Sequence, residues 1–379
     1  MPNVFGNYNE TFFAQEALIQ LEKVMGLGGR VHRGYNANPQ TKGDTIQIRR
    51  PSTFVAQAAP SVAQDLDTES VSIKLDQWDE VKFKLTDKDL SLTSDQIITD
   101  HIRPAAVALA DLMDQKGAAL YRSIPWYSTM SSTPALSDIG KLRKIMFDNK
   151  VPMRDRSMLN YMIDGNSELA FLNALSASGM QPNQQDQAVR EGSIGRLFGF
   201  DTWANQNTPT HTSGVAADAT GALTANAAKG APAISLGSIT ADGTVRAGDS
   251  FSIAGDPQRY VFTANYTASG GAIAGAAIYP PLKQAATSGA VVTIFLGGAD
   301  KPQTLAFHRN FAALATAPLS TLGNQLGARI TTVSDPITNI SLRSRIFYDG
   351  DASTVFVALD VLYGWQILDP NLAVRGNAA

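Results

Sequence analysis

Few residues in this chain are of a type that does chemistry, and each group of them is wrongly spaced for it. The stretch EGSIGRLFGFDTWANQN, Glu191–Asn207, sets Gly192, Gly195 and Gly199 around Arg196. Glycines beside a cation are what a phosphate loop needs, because bare backbone N–H groups can then close on the anion. A dinucleotide loop, however, reads G-x-G-x-x-G between a strand and a helix. Here the order is G-x-x-G-x-x-x-G, after the largely polar QPNQQDQAVRE. The pattern G-x-x-x-x-G-K-[ST] occurs nowhere in the chain. The stretch reads instead as a glycine-hinged connection, with positive φ or close approach at the glycines. Phe198 and Phe200 are expected to pack, and Arg196 to pair locally or across an interface.

The four histidines, His32, His101, His211 and His308, stand far apart with no H-x-x-x-H or H-E-x-x-H pairing. His101 falls on a long helix, and His308 in a strand as a hydrogen-bonded sheet residue. The serine of GNSEL, Gly165–Leu169, lacks the closing glycine of a G-x-S-x-G elbow. Carboxylates gather in DKDLSLTSD and DQWDE, which read as surface and helix-start charge. Asp349 and Asp351 in FYDGDAST belong to a tight hairpin turn, and no bidentate glutamate follows at the EF-hand position. The chain has no cysteine, which excludes disulfides, thiolate metal sites and cysteine nucleophiles. The expectation is a protein that is not an enzyme, with no catalytic residue, cofactor or metal.

Composition narrows the class further. The 379 residues suffice for two or three domains, and 44% of them are hydrophobic. Only 17% are charged, below the usual quarter, which suits a surface partly covered by something else. A formal net charge of −3 without a basic run argues against tight duplex binding. The opening MPNVFGNYNETFFAQEALIQ lacks a basic region followed by an apolar run, and no apolar run reaches the ~20 residues that span a bilayer. The expectation is a soluble protein made in a reducing cytosol.

Stepping from residues to elements, 9–25 reads as an amphipathic helix with Phe12, Phe13, Leu18, Leu21 and Met25 near one face, stopped at Gly28-Gly29. TIQIRR and SVSIKLDQWDEVKFKLT alternate apolar and polar, predicting a long two-stranded arm with Lys74, Asp76, Lys82 and Lys84 on its charged face. An isolated hairpin cannot bury its own apolar stripe, so this arm needs a partner surface, on a neighbouring molecule or, alternatively, in a sheet of the same subunit. Residues 94–121 predict a long helix capped by Ser94, its stripe formed by Ile98, Ile102, Leu109, Leu112, Met113 and Leu120, with Pro104 forcing a kink or restart near Asp100. From 137 a helix–strand–helix pattern follows, with the helix SDIGKLRKIMFDN, the strand RSMLNYMID and the helix NSELAFLNAL. Between about 208 and 303 the chain turns Ala/Gly/Thr-rich, with short strand-like pieces that predict a small all-β insert. Within it Tyr260, Phe262, Tyr266 and Tyr279 alternate with small residues, as a small core requires. The α/β-like pattern resumes at TLAFHRNFAALATAPL, and the end predicts two strands around an Asp349-Gly350 turn.

In this order the pieces resemble the major capsid proteins of tailed double-stranded DNA bacteriophages, the HK-ninety-seven-like branch with an inserted β-domain. The resemblance rests on REGSIGRLFGFDTWANQNTP, RAGDSFSIAG, IYPPL, LAFHRNFAALATAPL and SLRSRIFYDGDASTVFVALDVLYGWQILDPNLAVR. It implies an α+β fold: an N-terminal arm (1–35), an extended loop with adjoining peripheral strands (36–90), and a spine helix (91–129). An apical domain (130–207) follows, then the inserted barrel-like domain (208–303), the apical return (304–334) and peripheral strands (335–379). It implies self-assembly through pentamers and hexamers into an icosahedral shell enclosing double-stranded DNA without sequence-specific binding. Scaffolding and portal proteins, and a decoration protein, would be the other partners; no membrane is involved. The place of action would be the virion, after synthesis in the host bacterial cytoplasm. Candidate inter-subunit contacts are Phe12, Phe13, Arg49, Arg50, Lys74, Asp76, Lys82, Lys84 and Arg196. Two other readings stay open: an encapsulin-like nanocompartment shell, which the insert disfavours, and a glycan-binding protein acting through the β insert.

Overall fold

The computed structural model describes residues 10–34, 45–49, 59, 70–86, 101–131, 133–177, 191–216, 220–239, 243–295, 301–322, 329–335, 339–349 and 354–377. Two compact units form, one from Met1–Asp114 with Ala312–Leu368, the other from Gln115–Phe311 with Asp369–Ala379.

In the first unit helix α1, Glu10–Val24, buries Leu18 and Leu21, while Phe12 remains 36% exposed. The expected stop at Gly28-Gly29 does not occur there: both glycines lie inside a short second helix, α2, Leu27–Arg30. Asp114 is the reason. Its carboxylate accepts the N–H groups of Gly26 (2.6 Å), Leu27 (3.2 Å) and Gly28 (3.0 Å), the donors that a new helix leaves orphaned. Burial pushes the Asp114 carboxyl upward, and these three bonds oppose that shift. Asp114 projects from α3, Arg103–Ala118. A π-helical turn at His101-Ile102 precedes α3. This turn interrupts the regular α-helical ladder directly before Pro104, close to where the sequence predicts a kink or restart. The expected stripe is also broken, since Leu112 is exposed while Ile102, Leu109 and Met113 are buried. Ser94 and Ile98 lie outside the described residues.

The run expected to form one long arm is two strands. Strand β1, Thr45–Arg49, pairs antiparallel with β2, Ser70–Lys74. After Leu75 and Asp76 the chain re-enters as β3, Gln77–Thr86, which pairs residue by residue with the Thr354–Ile367 strand, from Gln77↔Tyr363 to Thr86↔Thr354. Ten backbone partners within the same subunit satisfy β3 more completely than a free arm could. Its sheet is antiparallel and five-stranded, completed by Ala312–Ala317, Ile340–Asp349 and Arg329–Asp335. Asp349 pairs with Thr354 as the expected hairpin requires, and the turn residues 350–353 lie outside the described residues.

In the second unit a seven-stranded sheet runs in the order Tyr127–Thr129, Ala373–Asn377, Lys301–His308, Leu159–Ile163, Phe200–Ala204 and Arg196–Leu197, with Thr210–His211 pairing at the Lys301 end. Helices α4, Leu136–Asp148, and α5, Gly165–Ala177, contribute Ile139, Leu142, Met146, Phe171 and Leu175 to its core. Gly192, Gly195 and Gly199 all have positive φ, at 62°, 65° and 87°, so the glycine stretch serves backbone geometry. Phe200 is fully buried; Phe198, in the turn at φ 50°, is 48% exposed, with its ring edge over Gly140 of α4.

Residues 220–295 close into a six-stranded barrel. Phe251 stacks on Phe262 at 4.5 Å and on Tyr260 at 5.6 Å between ring centroids, filling a core that also holds Ile234, Ile278 and Ile294. The sequence boundaries beyond the barrel differ from the observed units. TLAFHRNFAALATAPL is two strands separated by a 3-10 turn, Arg309–Phe311, and the chain changes unit between Phe311 and Ala312. Ala373–Asn377, expected among the peripheral strands, instead pairs with Lys301–His308 in the second unit.

Candidate subunit interface

In the first unit the register places Trp78, Glu80, Lys82 and Lys84 of β3 on one face, opposite Leu362, Asp360, Ala358 and Phe356. Arg343, Arg345 and Phe347 share that face from the next strand. Its centre is Asp360, fully buried, which accepts from Arg343 Nε at 3.0 Å and Nη2 at 2.5 Å and from Trp78 Nε1 at 3.0 Å. Arg345 lies 3.4 Å from Asp360 and pairs with Glu80. Lys82 Nζ stands 4.8 and 4.7 Å from the ring centres of Phe347 and Phe356, which stack at 5.2 Å. Of the charges that the sequence placed on the arm, Lys82 is thus engaged by rings of the subunit's own sheet. The β1–β2 ribbon crosses the same face. A Cβ on Gly364 would stand 2.1 Å from the Lys74 carbonyl oxygen, so glycine alone permits that approach.

The second unit contains a buried polar junction between barrel and sheet. Asp249, fully buried, accepts from His211 Nε2 at 2.9 Å and from the backbone N–H groups of Gly214 (3.0 Å) and Arg246 (2.7 Å). The carboxylate can only accept, so Nε2 carries the proton. Nδ1 of a neutral ring then takes the Tyr121 hydroxyl, 3.1 Å away. Beside them Arg375, fully buried, donates from Nη2 to Gly248 O at 3.0 Å and lies 5.8 Å from the Tyr121 ring centre. Burial lowers its guanidinium to about 10, and Tyr121 and Asp249 oppose the shift. Ser250 Oγ donates to Pro125 O at 2.7 Å, and Arg259 Nη1 to Tyr127 O at 3.0 Å. The His211–Asp249, Arg375–Gly248, Ser250–Pro125 and Arg259–Tyr127 bonds each join a barrel residue to a residue outside the barrel. It is a joint.

The sequence-selected contact residues scatter over these features. Phe12 lies on the partly exposed side of α1; Phe13 and Arg49 belong to described elements, but their side chains, like all of Arg50, lie outside the described residues. Lys74 and Asp76 are exposed at the end of β2, Asp76 accepting from Gln77 at 3.0 Å. Lys82 and Lys84 are exposed on the sheet face. Arg196 belongs to the other unit, exposed and close enough to lower the Asp155 carboxyl, although hydrogen bonds from Ser157 are the larger cause. Asp114, Asp360, Asp249, His211 and Arg375 were missed as structural centres. His308 is buried in its strand with Nδ1 accepting from Asn310 N–H at 3.2 Å, as a sheet histidine should be. Among the described residues no group of three or more His, Asp or Glu side chains is placed to hold a metal ion.

No family model and no curated protein matches the sequence. Solved structures do. A chain of Mycobacterium phage Che8 superposes with a TM-score of 0.51 at 14% identity, over 93% of this chain and 91% of that one. The mature capsid of bacteriophage PhiM1 gives 0.46 at 9% identity, over 93% and 86%. The capsid structure of cyanophage P-SCSP1u gives 0.44 at 11%, over 90% and 85%. The likeness to the Che8 chain establishes the fold over nearly the whole length. The α+β class expected from the sequence is the one observed.

Proposed function

We propose that this chain is the coat subunit of a tailed-phage capsid, a structural protein and not an enzyme. The observation that carries the reading is the fold shared with the phage Che8 chain over 93% of this sequence. It is supported by chain order: N-terminal helix, ribbon, long helix, sheet unit, barrel and closing strands follow one another as the resemblance implies. In this reading identical subunits make head-to-tail contacts that close into rings, pentamers and hexamers, joined into a shell. Double-stranded DNA is enclosed without being gripped, consistent with the net charge of −3. Scaffolding and portal proteins assist, a decoration protein can sit outside, and synthesis takes place in the host cytoplasm.

Residues 1–35 then serve as an arm, 36–90 as loop and adjoining strands, 91–129 as spine, 130–207 as apical region and 208–303 as insert. Phe12, Phe13, Arg49, Arg50, Lys74, Asp76, Lys82, Lys84 and Arg196 are the proposed contacts. Exposed ion pairs contribute only about 0–1 kcal/mol each, so many must act together with apolar burial. Such weak contacts let a misplaced subunit leave before the shell closes. Negative-stain microscopy and sedimentation velocity of the purified chain, with and without a scaffolding partner, test the reading. Rings or closed shells are expected; a monomer under every condition overturns it.

A further inference from the structure

Within the second unit a cleft of about 320 Å³ opens where the barrel meets the end of α4. That volume stands at the small end of the range for ligand sites, about 300–1,000 Å³. Two of its walls are tied together in advance. The Asn371 amide oxygen accepts from Trp126 Nε1 at 2.9 Å and from Gln258 Nε2 at 3.4 Å, which fixes the barrel turn 256–258 against the 3-10 turn Pro370–Leu372. The acidic groups that line the cleft are already engaged. Asp148 pairs with Lys144 at 2.8 Å, and Asp256 accepts from the Gln258 N–H at 2.9 Å and from the Tyr260 hydroxyl at 2.6 Å.

The basic groups are not engaged. Lys150, just after α4, and Lys283, from the barrel, are exposed in the cleft, and neither forms an ion pair with a described residue. Beside Lys150, Asn149 Nδ2 is buried with no hydrogen-bond partner among the described residues. Lys150 also carries an unfavourable backbone. It ends α4 in the left-handed region, at φ 57°, with its N–H donating to Phe147 O at 2.9 Å and the Val151 N–H to Met146 O at 3.1 Å. Glycine suits this position at a helix end, and an L side chain there is disfavoured. Local stability is thus given up where a cation enters the cleft.

Two ammonium groups brought to one cleft by separate elements match a dianion. Lysine binds phosphate as a point charge, whereas planar carboxylates are gripped by the arginine fork, and no arginine lines the cleft. The side-chain amides of Gln258, Gln284 and Asn371 add the mixed donors and acceptors that hydroxyl groups need. The carboxyl end of a helix repels anions, but here the carbonyls of Ile145, Met146 and Phe147 already accept from Asn149, Val151 and Lys150. We infer that this cleft binds the phosphomonoester of a small polyhydroxy compound, with Lys150, Lys283 and Asn149 Nδ2 holding the phosphate. The site lies within one unit of one chain, so it does not depend on assembly.

The test titrates glycerol 3-phosphate with the purified full chain and reads binding by phosphorus-31 NMR. A Kd on the order of 1 mM or tighter is expected at low salt, weakening as salt screens the lysines. Inorganic phosphate, which lacks the hydroxyls, should bind at least ~10-fold more weakly. Lys150→Gly and Lys283→Met should each weaken glycerol 3-phosphate binding by at least ~10-fold. Lys150→Gly should also leave the melting temperature unchanged or raise it, because glycine suits the left-handed position. Binding lost from a chain as stable as the parent separates a ligand contact from a structural one; should Lys150→Gly fail to fold, Lys283→Met decides. No binding by the parent at ~10 mM ligand overturns the inference, and so does binding that either folded variant retains. Inorganic phosphate bound as tightly as glycerol 3-phosphate would mark a general anion surface and overturns it. Displacement of glycerol 3-phosphate by a short DNA oligonucleotide without a terminal phosphate would assign the cleft to a phosphodiester backbone and also overturns it.

Discussion

Single residues hold this molecule together in places where sequence alone shows ordinary polar side chains. Asp114 on α3 satisfies three helix-start donors 86–88 residues away in the chain, and Arg375 reaches a carbonyl 127 residues distant. No local pattern marks either one, because each is buried by partners that only the tertiary fold supplies. The glycine stretch was legible for the opposite reason: positive φ is a local demand, written in residue type. Asp114→Ala leaves buried N–H groups without an acceptor, and each unmade bond costs about 1–3 kcal/mol. The first unit is expected to lose at least about 2 kcal/mol in denaturant unfolding; a loss under about 0.5 kcal/mol would mean that water replaces the carboxylate. His308 offers a pH test. Burial lowers the pKa of its ring from the ordinary 6.5, so the folded state favours the neutral form. Its contribution is complete above that ordinary value and is lost as pH falls through 6.5 toward the lower folded value. His308→Gln should therefore flatten the fall in melting temperature between about pH 7 and 5; an unchanged slope would place the pH dependence elsewhere.

Elements were read well where their periodicity was internal and poorly where a partner decided them. The α4 and α5 helices, the Leu159–Ile163 strand and the alternation of Val81 and Phe83 all carry their pattern in their own residues. The division of β2 from β3 does not, because the alternation continues in phase across Leu75-Asp76, and only the two different pairing strands reveal the break. The ribbon is where an element-scale consequence can be measured. Gly364 lies under Lys74 with no room for a methyl group, so Gly364→Ala must lift β1–β2 from the sheet or bend the strand beneath. The side chains of Ile73 and Leu75, fully buried in the wild type, would then be exposed. Hydrogen exchange should show faster opening at Ser70–Lys74, with the β3 pairing to Thr354–Ile367 still protected. Equal acceleration of both strands would mean that the ribbon and sheet open as one unit.

At the scale of the whole molecule, the two compact units have separate apolar cores. One is built on Ile73, Leu75, Ala313, Ala315 and Leu362, and the other on Tyr161, Phe171 and Phe200 together with the barrel cluster around Phe251. The chain passes between units near residues 114, 311 and 368, so each unit is assembled from segments distant in sequence. The barrel, by contrast, is one continuous stretch within the second unit. Two cores of this kind need not melt together, and a single unfolding free energy would then be ill defined. The barrel core can be struck without touching the first unit. Phe251 is fully buried between Tyr260 and Phe262, and removing such a ring costs about 3–5 kcal/mol. Calorimetry of unassembled subunits is expected to resolve two transitions. Phe251→Ala should lower one of them by several degrees, and Asp114→Ala should lower the other. A single transition moved equally by both substitutions would show that the units unfold as one cooperative body, and that their division is geometric and not energetic.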